Sequence, residues 1–232
     1  MNNILLAGCS FTDPIWQEEK YIPWSVHFAK ENPSYIIAKG GMGIHGISTL
    51  AYDFIQNNQI DELILLLPTI WRYDYEVDLE YHTMNASVDV LFGNKDGYKV
   101  HEKSKRNWLL SYGLHFREDH TDKEITKFFD LMYKSSGWLV MFRNQMKSLK
   151  SLLDLCKSKN ITYHISSIQD PMDQMFFDDI KQELVDLLNS YGEYQDWFKF
   201  DGKFLNYYLG HDDHPSTEEH IQISNYISKN II

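Results

Sequence analysis

Cysteine is nearly missing from this chain, with only Cys9 and Cys156 in 232 residues. Two so widely separated supply neither a disulfide framework nor a zinc-binding pattern. Both read as small buried hydrophobes, Cys156 on a helical run and Cys9 on the opposite side of an extended segment from Ser10. Long apolar runs are absent as well. The clearest one, residues 63–67, is strand-sized and far short of the about 20 residues that span a bilayer. The first residues lack a basic segment and a leader-length apolar run, so the expected location is the cytoplasm. Positive charge is also in deficit. With 22 Lys and Arg against 33 Asp and Glu, the formal charge of −11 disfavours nucleic acid or an anionic membrane as nonspecific partners. The basic residues are scattered apart from a small knot at Lys103, Lys105 and Arg106.

What remains is the composition of a packed globular protein, 43% hydrophobic and 15% aromatic, long enough to bury a sizeable core. Strand-sized apolar runs at residues 3–7, 35–38, 62–67 and 161–165 alternate with helical patterns at 24–31, 47–57, 137–159 and 173–190. After Glu62, residues 63–67 are continuously apolar rather than alternating, as in a sheet covered on both faces. Trp197-Phe198-Lys199-Phe200 reads as a short last strand. Ser216-Thr217-Glu218-Glu219 has the form of a capping box, with Ser216 as N-cap of a final helix.

Alternating strands and helices imply right-handed crossovers, a parallel sheet of about five strands and a three-layer α/β/α sandwich. The whole of 1–232 reads as a single domain, interrupted at about 71–123 by a polar, aromatic segment without clear periodicity. That segment reads as an insertion with structure of its own and a candidate lid, and residues 124–133 read as a helix. Its Trp71, Tyr73, Tyr75, Tyr81 and Trp108 suit either a small satellite core or stacking on sugar rings.

Ligand sites in such sheets form beyond the carboxyl ends of the strands. Ser10 follows the first strand in Gly8-Cys9-Ser10-Phe11-Thr12, and the turn Gly40 to Gly46 follows the second. Near the other terminus stands Asp212-Asp213-His214-Pro215. A serine hydroxyl is a poor nucleophile until a base takes its proton, and the base needs an orienting carboxylate. Ser10, His214 and an adjacent aspartate can supply those roles only if the two chain ends meet.

These residues resemble the SGNH hydrolases, the GDSL-type lipases and esterases. Gly8-Cys9-Ser10-Phe11-Thr12 is similar to the family's first block, and Gly41-Met42-Gly43-Ile44-His45-Gly46-Ile47-Ser48 to its second. Asp212-Asp213-His214-Pro215 is similar to its last. The resemblance implies a flavodoxin-like sheet and a Ser10–His214–Asp212 triad, with oxyanion donors at the Ser10 and Gly46 N–H groups. Apart from the resemblance, His45 in the glycine turn reads either as lining the pocket or as a surface histidine.

The chain departs from the family in two places. The position three residues before the histidine, usually the acid, is His211, which leaves Asp212 as the nearest substitute and Asp213 directly abutting the base. The third block's Gly-x-Asn is replaced by Pro68-Thr69-Ile70-Trp71-Arg72, so Thr69 or Arg72 would stand in for the asparagine donor. One lost oxyanion donor typically costs about 3–4 kcal/mol of transition-state stabilisation.

His211, His214 and His220 with the two aspartates contain no helical His-x-x-x-His and no cysteine partner, so no metal is expected. The glycine turn lacks the Gly-Lys-Ser/Thr of a phosphate loop and the dinucleotide-binding spacing, so no cofactor is expected either. The expected partner is a small-molecule or glycan ester carrying an acetyl or other short acyl group. An acyltransferase with the same triad and an inactive binding module on the same fold are the alternatives.

Overall fold

The computed structural model describes residues 2–15, 22–70, 72–77, 85–103, 106–110, 127, 131, 134, 137–173, 181–210 and 214–232. Its centre is strand β1 (Ile4–Gly8), buried at every position. β1 pairs in parallel with β2 (Ser34–Ala38) on one side and β3 (Glu62–Leu67) on the other. β3 is buried throughout, and β9 (Thr162–Ser167) continues the parallel sheet beyond it. The parallel order is therefore β2-β1-β3-β9.

The sheet is mixed rather than wholly parallel. Part of the inserted segment forms β6 (Val90–Asn94) and β7 (Gly97–Glu102), a hairpin that adds antiparallel to the free edge of β2. The result is a six-stranded sheet, β7-β6-β2-β1-β3-β9. The rest of the insertion, β4 (Asp74–Val77), β5 (Asn85–Ser87) and β8 (Asn107–Leu110), makes a separate three-stranded antiparallel sheet. Tyr73 and Trp108 are buried, Trp108 within the main hydrophobic core; Tyr75 is exposed, and Trp71 and Tyr81 lie outside the described residues. In the basic knot, Arg106 is committed to Asp53 at 2.8 Å and to Glu76, while Lys105 lies outside the described residues.

The expected strand at Trp197-Phe198-Lys199-Phe200 does not form. Phe198 N–H gives a single backbone bond to Ile165 C=O on β9 (2.8 Å), and the chain then reverses. Asp201 and Gly202 adopt consecutive positive φ values of 46° and 80°, and Phe200 pairs with Lys203 across them. Two left-handed residues in succession make a tight reversal, so Trp197 and Phe200 enter the core without extending the sheet.

Helices cover both faces of the sheet. α1 (Trp24–Glu31) packs with α6 (Thr217–Asn230). α2 (Ile44–Asn57) packs with α3 (Trp138–Ser158), which packs with α4 (Lys181–Gly192). A short α5 (Leu205–Leu209) leads toward the histidine segment. On α3 the buried positions Phe142, Met146, Leu149, Leu152, Leu153 and Cys156 recur at three- and four-residue spacing, the period of one helical face. Cys9 and Cys156 are both free and buried, and burial pushes the Cys156 thiol up to about 12. The helix expected at 124–133 lies largely outside the described residues, as does the start of the one expected at 173–190. Among the described residues, no helix is long and apolar enough to cross a membrane.

The capping box at Ser216 is present. Ser216 N–H donates to Glu219 Oε2 (2.7 Å), and Ser216 Oγ accepts from Glu219 N–H (3.4 Å). It places the N-cap of α6 two residues after His214. Replacing Ser216 by alanine is expected to cost about 1 kcal/mol, which lowers the melting midpoint by about 2–4 °C for a domain of this size. A calorimetric scan showing no shift would mean the box contributes nothing.

Candidate active site

The turn that carries Ser10 closes immediately after β1. Thr12 and Asp13 N–H both donate to Cys9 C=O, at 2.9 and 3.0 Å. This folds the Thr12 side chain back over Gly8, where a Cβ would stand 2.2 Å from Thr12 Oγ1 and 2.9 Å from Leu66 C=O. Glycine before Cys9-Ser10 is thus required by close approach, not by an unusual φ. Thr12 is held in turn by α1: its Oγ1 accepts from Trp24 Nε1–H (3.2 Å), and its C=O accepts from Ser25 Oγ–H (2.6 Å). Asp13, buried, accepts from Gly40 N–H (3.0 Å) and Ile15 N–H (2.9 Å), so its carboxylate ties the serine turn to the glycine turn.

His214 comes from the far end of the chain and meets this turn. Its Nε2 lies 2.7 Å from Ser10 Oγ, across 204 positions of sequence. Ser10 is buried, while His214 is exposed. The Phe11 ring packs edge-on against the imidazole, with centroids 4.8 Å apart. That contact restricts ring rotation on the side away from solvent. Asp212 and Asp213, the expected acids, lie outside the described residues, as does His211.

The third histidine of the C-terminal cluster is engaged elsewhere. His220 is fully buried on α6, and its Nδ1 accepts from Trp24 N–H at 3.1 Å. Burial, reinforced by His27 and His214, lowers its pKa to about 3, so it stays neutral at any ordinary pH. Among the described residues, no cluster of three metal-ligating side chains occurs.

The glycine turn behaves differently from expectation. The Gly46 N–H, expected as an oxyanion donor, instead donates to Asp74 Oδ2 at 3.0 Å. Gly43 N–H donates to the same carboxylate at 2.8 and 2.9 Å. Asp74 sits on β4, so the insertion plugs the N-terminal amides of α2 with a carboxylate of its own. The charge suits the positive end of a helix dipole. Both glycines are explained by this docking. A Cβ on Gly46 would stand 2.6 Å from Asp74 Oδ2, and one on Gly43 would stand 2.4 Å from Arg72 C=O.

The other expected pocket residues divide. His45 turns to the α2–α3 junction: its Nδ1 lies 2.7 Å from Ser148 Oγ, its ring stacks with Tyr73, and it meets Trp108 edge-on. Burial holds its pKa below the ordinary histidine value. Thr69, half-buried at the exit of β3, accepts from Arg72 N–H through its carbonyl (3.3 Å). Arg72 Nη1 is buried and has no hydrogen-bond acceptor among the described residues. Likewise, no described residue accepts from Ser10 N–H.

Phe11, Asp13 and Asp74 were not singled out from the sequence as site residues. Phe11 adjoins Ser10, so proximity was the available signal. Asp74 had none, because its role arises from the docking of β4 on the glycine turn. No protein-family model matches this chain, and neither does any curated protein or solved structure.

Burial pushes the Asp74 carboxyl from an ordinary 3.8 up to about 7, opposed by the Gly43 and Gly46 amides and by Arg72. The unfolded chain releases this proton near 3.8 and the folded chain near 7, so the native state binds more protons between them. Stability from this group therefore falls as pH rises through that window and levels off above it, by at most about 4 kcal/mol. Urea midpoints at pH 5 and pH 7.5 for wild type and Asp74→Asn test this. The wild type is expected to lose more stability than the variant over that interval, and parallel losses would overturn it.

Proposed function

We propose that this chain is a serine ester hydrolase in which Ser10 is the nucleophile and His214 the general base. The observation that carries the reading is the 2.7 Å contact between Ser10 Oγ and His214 Nε2, made by residues from opposite ends of the chain. A hydroxyl and an imidazole at hydrogen-bond distance are the working unit of nucleophilic acyl transfer. The position of Ser10 just beyond the carboxyl end of a central parallel strand is further support.

In this mechanism Ser10 Oγ attacks the ester carbonyl as His214 Nε2 takes its proton. The imidazolium then protonates the departing alcohol oxygen, and the carbonyl–oxygen bond breaks to leave an acyl-Ser10. Water, deprotonated by His214, attacks that acyl group, and the returning proton restores the Ser10 hydroxyl. Asp212 remains the proposed orienting acid. Because Asp74 holds the Gly43 and Gly46 amides, the proposed oxyanion donors are the Ser10 N–H and the Arg72 guanidinium. The substrates in view are O-acetyl or other short acyl esters, on carbohydrate among other alcohols. An acyltransferase differs only in the second step, where a sugar hydroxyl replaces water.

One observation favours a second reading. The carboxylate seated on the Gly43 and Gly46 amides fills the seat of an oxyanion, as expected of a binding module that kept the fold and lost catalysis. Labelling with a fluorophosphonate, mapped by mass spectrometry, separates the two. Under the hydrolase reading Ser10 is labelled, and His214→Ala abolishes labelling. Turnover of p-nitrophenyl acetate is expected to fall by about 10³-fold or more in Ser10→Ala. Equal turnover in wild type and Ser10→Ala, with no label at Ser10, would leave only the binding module.

A further inference from the structure

The geometry points to a subsite for the carboxylate of an acidic sugar in the cleft formed by Asp170, Lys199, Gly202, Lys203, Phe204 and Tyr207. The cleft has a volume of about 280 Å³. That lies just below the about 300–1,000 Å³ of pockets that hold a whole drug-sized ligand. It suits one recognition element of a larger molecule.

It gathers two cationic side chains in an acidic protein. In a chain of net charge −11, Lys199 and Lys203 both line this one cleft. Neither ammonium has a carboxylate partner among the described residues, although the chain has an excess of carboxylates. Lys199 is held in place: its Nζ stands over the Phe204 ring, 5.0 Å from the centroid, a cation–π contact that orders the side chain. The turn carrying both lysines is rigid. Asp201 and Gly202 reverse it tightly, and Tyr226 on α6 pins it by donating to Lys199 C=O (2.7 Å) and accepting from Asp201 N–H (3.2 Å).

The same cleft limits the charge of its ligand. Among the described residues Asp170 supplies the lining carboxylate, its Oδ1 bonded to Tyr194 O–H (2.7 Å) and Met172 N–H (2.9 Å), and a second carboxylate, Asp173 Oδ2, accepts from the hydroxyl of the lining Tyr207. Two lysines against two carboxylates that are each already hydrogen-bonded leave little net positive charge, which admits a monoanion and disfavours a phosphate dianion. Tyr207, 49% exposed, adds an aromatic wall of the kind that stacks on a sugar ring.

The cleft lies on the edge that carries Ser10. Asp170 follows the end of β9 as Ser10 follows the end of β1, and β3 alone separates those strands. At about 4.8 Å per strand, the ends of β1 and β9 stand about 10 Å apart. The Asn206 N–H bond to Ile168 C=O (2.9 Å) anchors α5, which leads from the cleft toward His214. The inference rests on the hydrolase reading for the ester that the acidic sugar carries; recognition of the sugar itself requires no catalysis.

The test is therefore a binding experiment. Titrating ¹⁵N-labelled protein with methyl β-glucuronide is expected to shift the Gly202 and Lys203 amides saturably. Methyl β-glucoside, which lacks the carboxylate, is expected to leave them in place. In Lys199→Ala/Lys203→Ala the glucuronide Kd is expected to rise about tenfold or more, read from the Gly202 amide. Equal shifts with both sugars, no saturable shift with the glucuronide, an unchanged Kd in the double variant, or tighter binding of inorganic phosphate would each overturn the assignment. Fluorophosphonate labelling of Ser10 is scored separately. An unlabelled serine beside intact glucuronide binding removes the hydrolase and keeps the subsite, and the converse removes only the subsite.

Discussion

Strand β1 is hydrogen-bonded in register on both sides, Leu6 facing Ile36 of β2 and Ile64 of β3, and the common edge on which the candidate site sits follows from that pairing. Parallel strands in register end together, so the serine turn, the glycine turn and the Pro68-Thr69 exit emerge on one edge. The strand can be central because Ile4, Leu5, Leu6 and Ala7 are apolar on both faces, which only a sheet covered by helices on each side can bury. A polar residue on either face of β1 would cost burial in one helical layer or the other.

The serine turn is fixed from several directions. Gly8 admits Thr12, Thr12 is held by Trp24 and Ser25, and Asp13 reaches the backbone of Gly40. α1 is thus part of the site's support, and α6 shares that work through His220 and Trp24. The imidazole of His214 approaches a serine with little freedom to move, and the Phe11 ring limits its own. Support of this kind lets a hydroxyl and an imidazole stand 2.7 Å apart although their loops come from opposite chain ends.

The segment from β4 to β8 does two separate things. Its β6–β7 hairpin covers the edge of β2, which would otherwise present unpaired backbone groups. Its other part delivers Asp74 to the N-terminal amides of α2. A buried carboxylate needs donors, and a helix start needs acceptors, so each satisfies the other. The consequence for chemistry is that the glycine turn spends its amides on architecture. Arg72 Nη1, by contrast, is buried without an acceptor among the described residues.

Local signals made much of this legible in advance. Continuous apolar runs identified β1 and β3, periodic apolar residues identified α3, and Ser216 with Glu219 marked the start of α6. These patterns are visible in sequence because burial period and capping depend on residues a few positions apart. The strand expected at Trp197-Phe198-Lys199-Phe200 was misread because those residues are apolar enough for a sheet, while the reversal at Asp201 and Gly202 turns the chain back. Order along the chain also placed Ser10 and His214 at ends that a parallel α/β plan can join. Their separation, the capture of Gly46 by Asp74 and the gathering of Lys199 and Lys203 with Asp170 in one cleft belong to the folded chain alone. Most of these contacts link positions tens to hundreds of residues apart, and no short-range pattern encodes which distant side chain will arrive to take a given hydrogen bond.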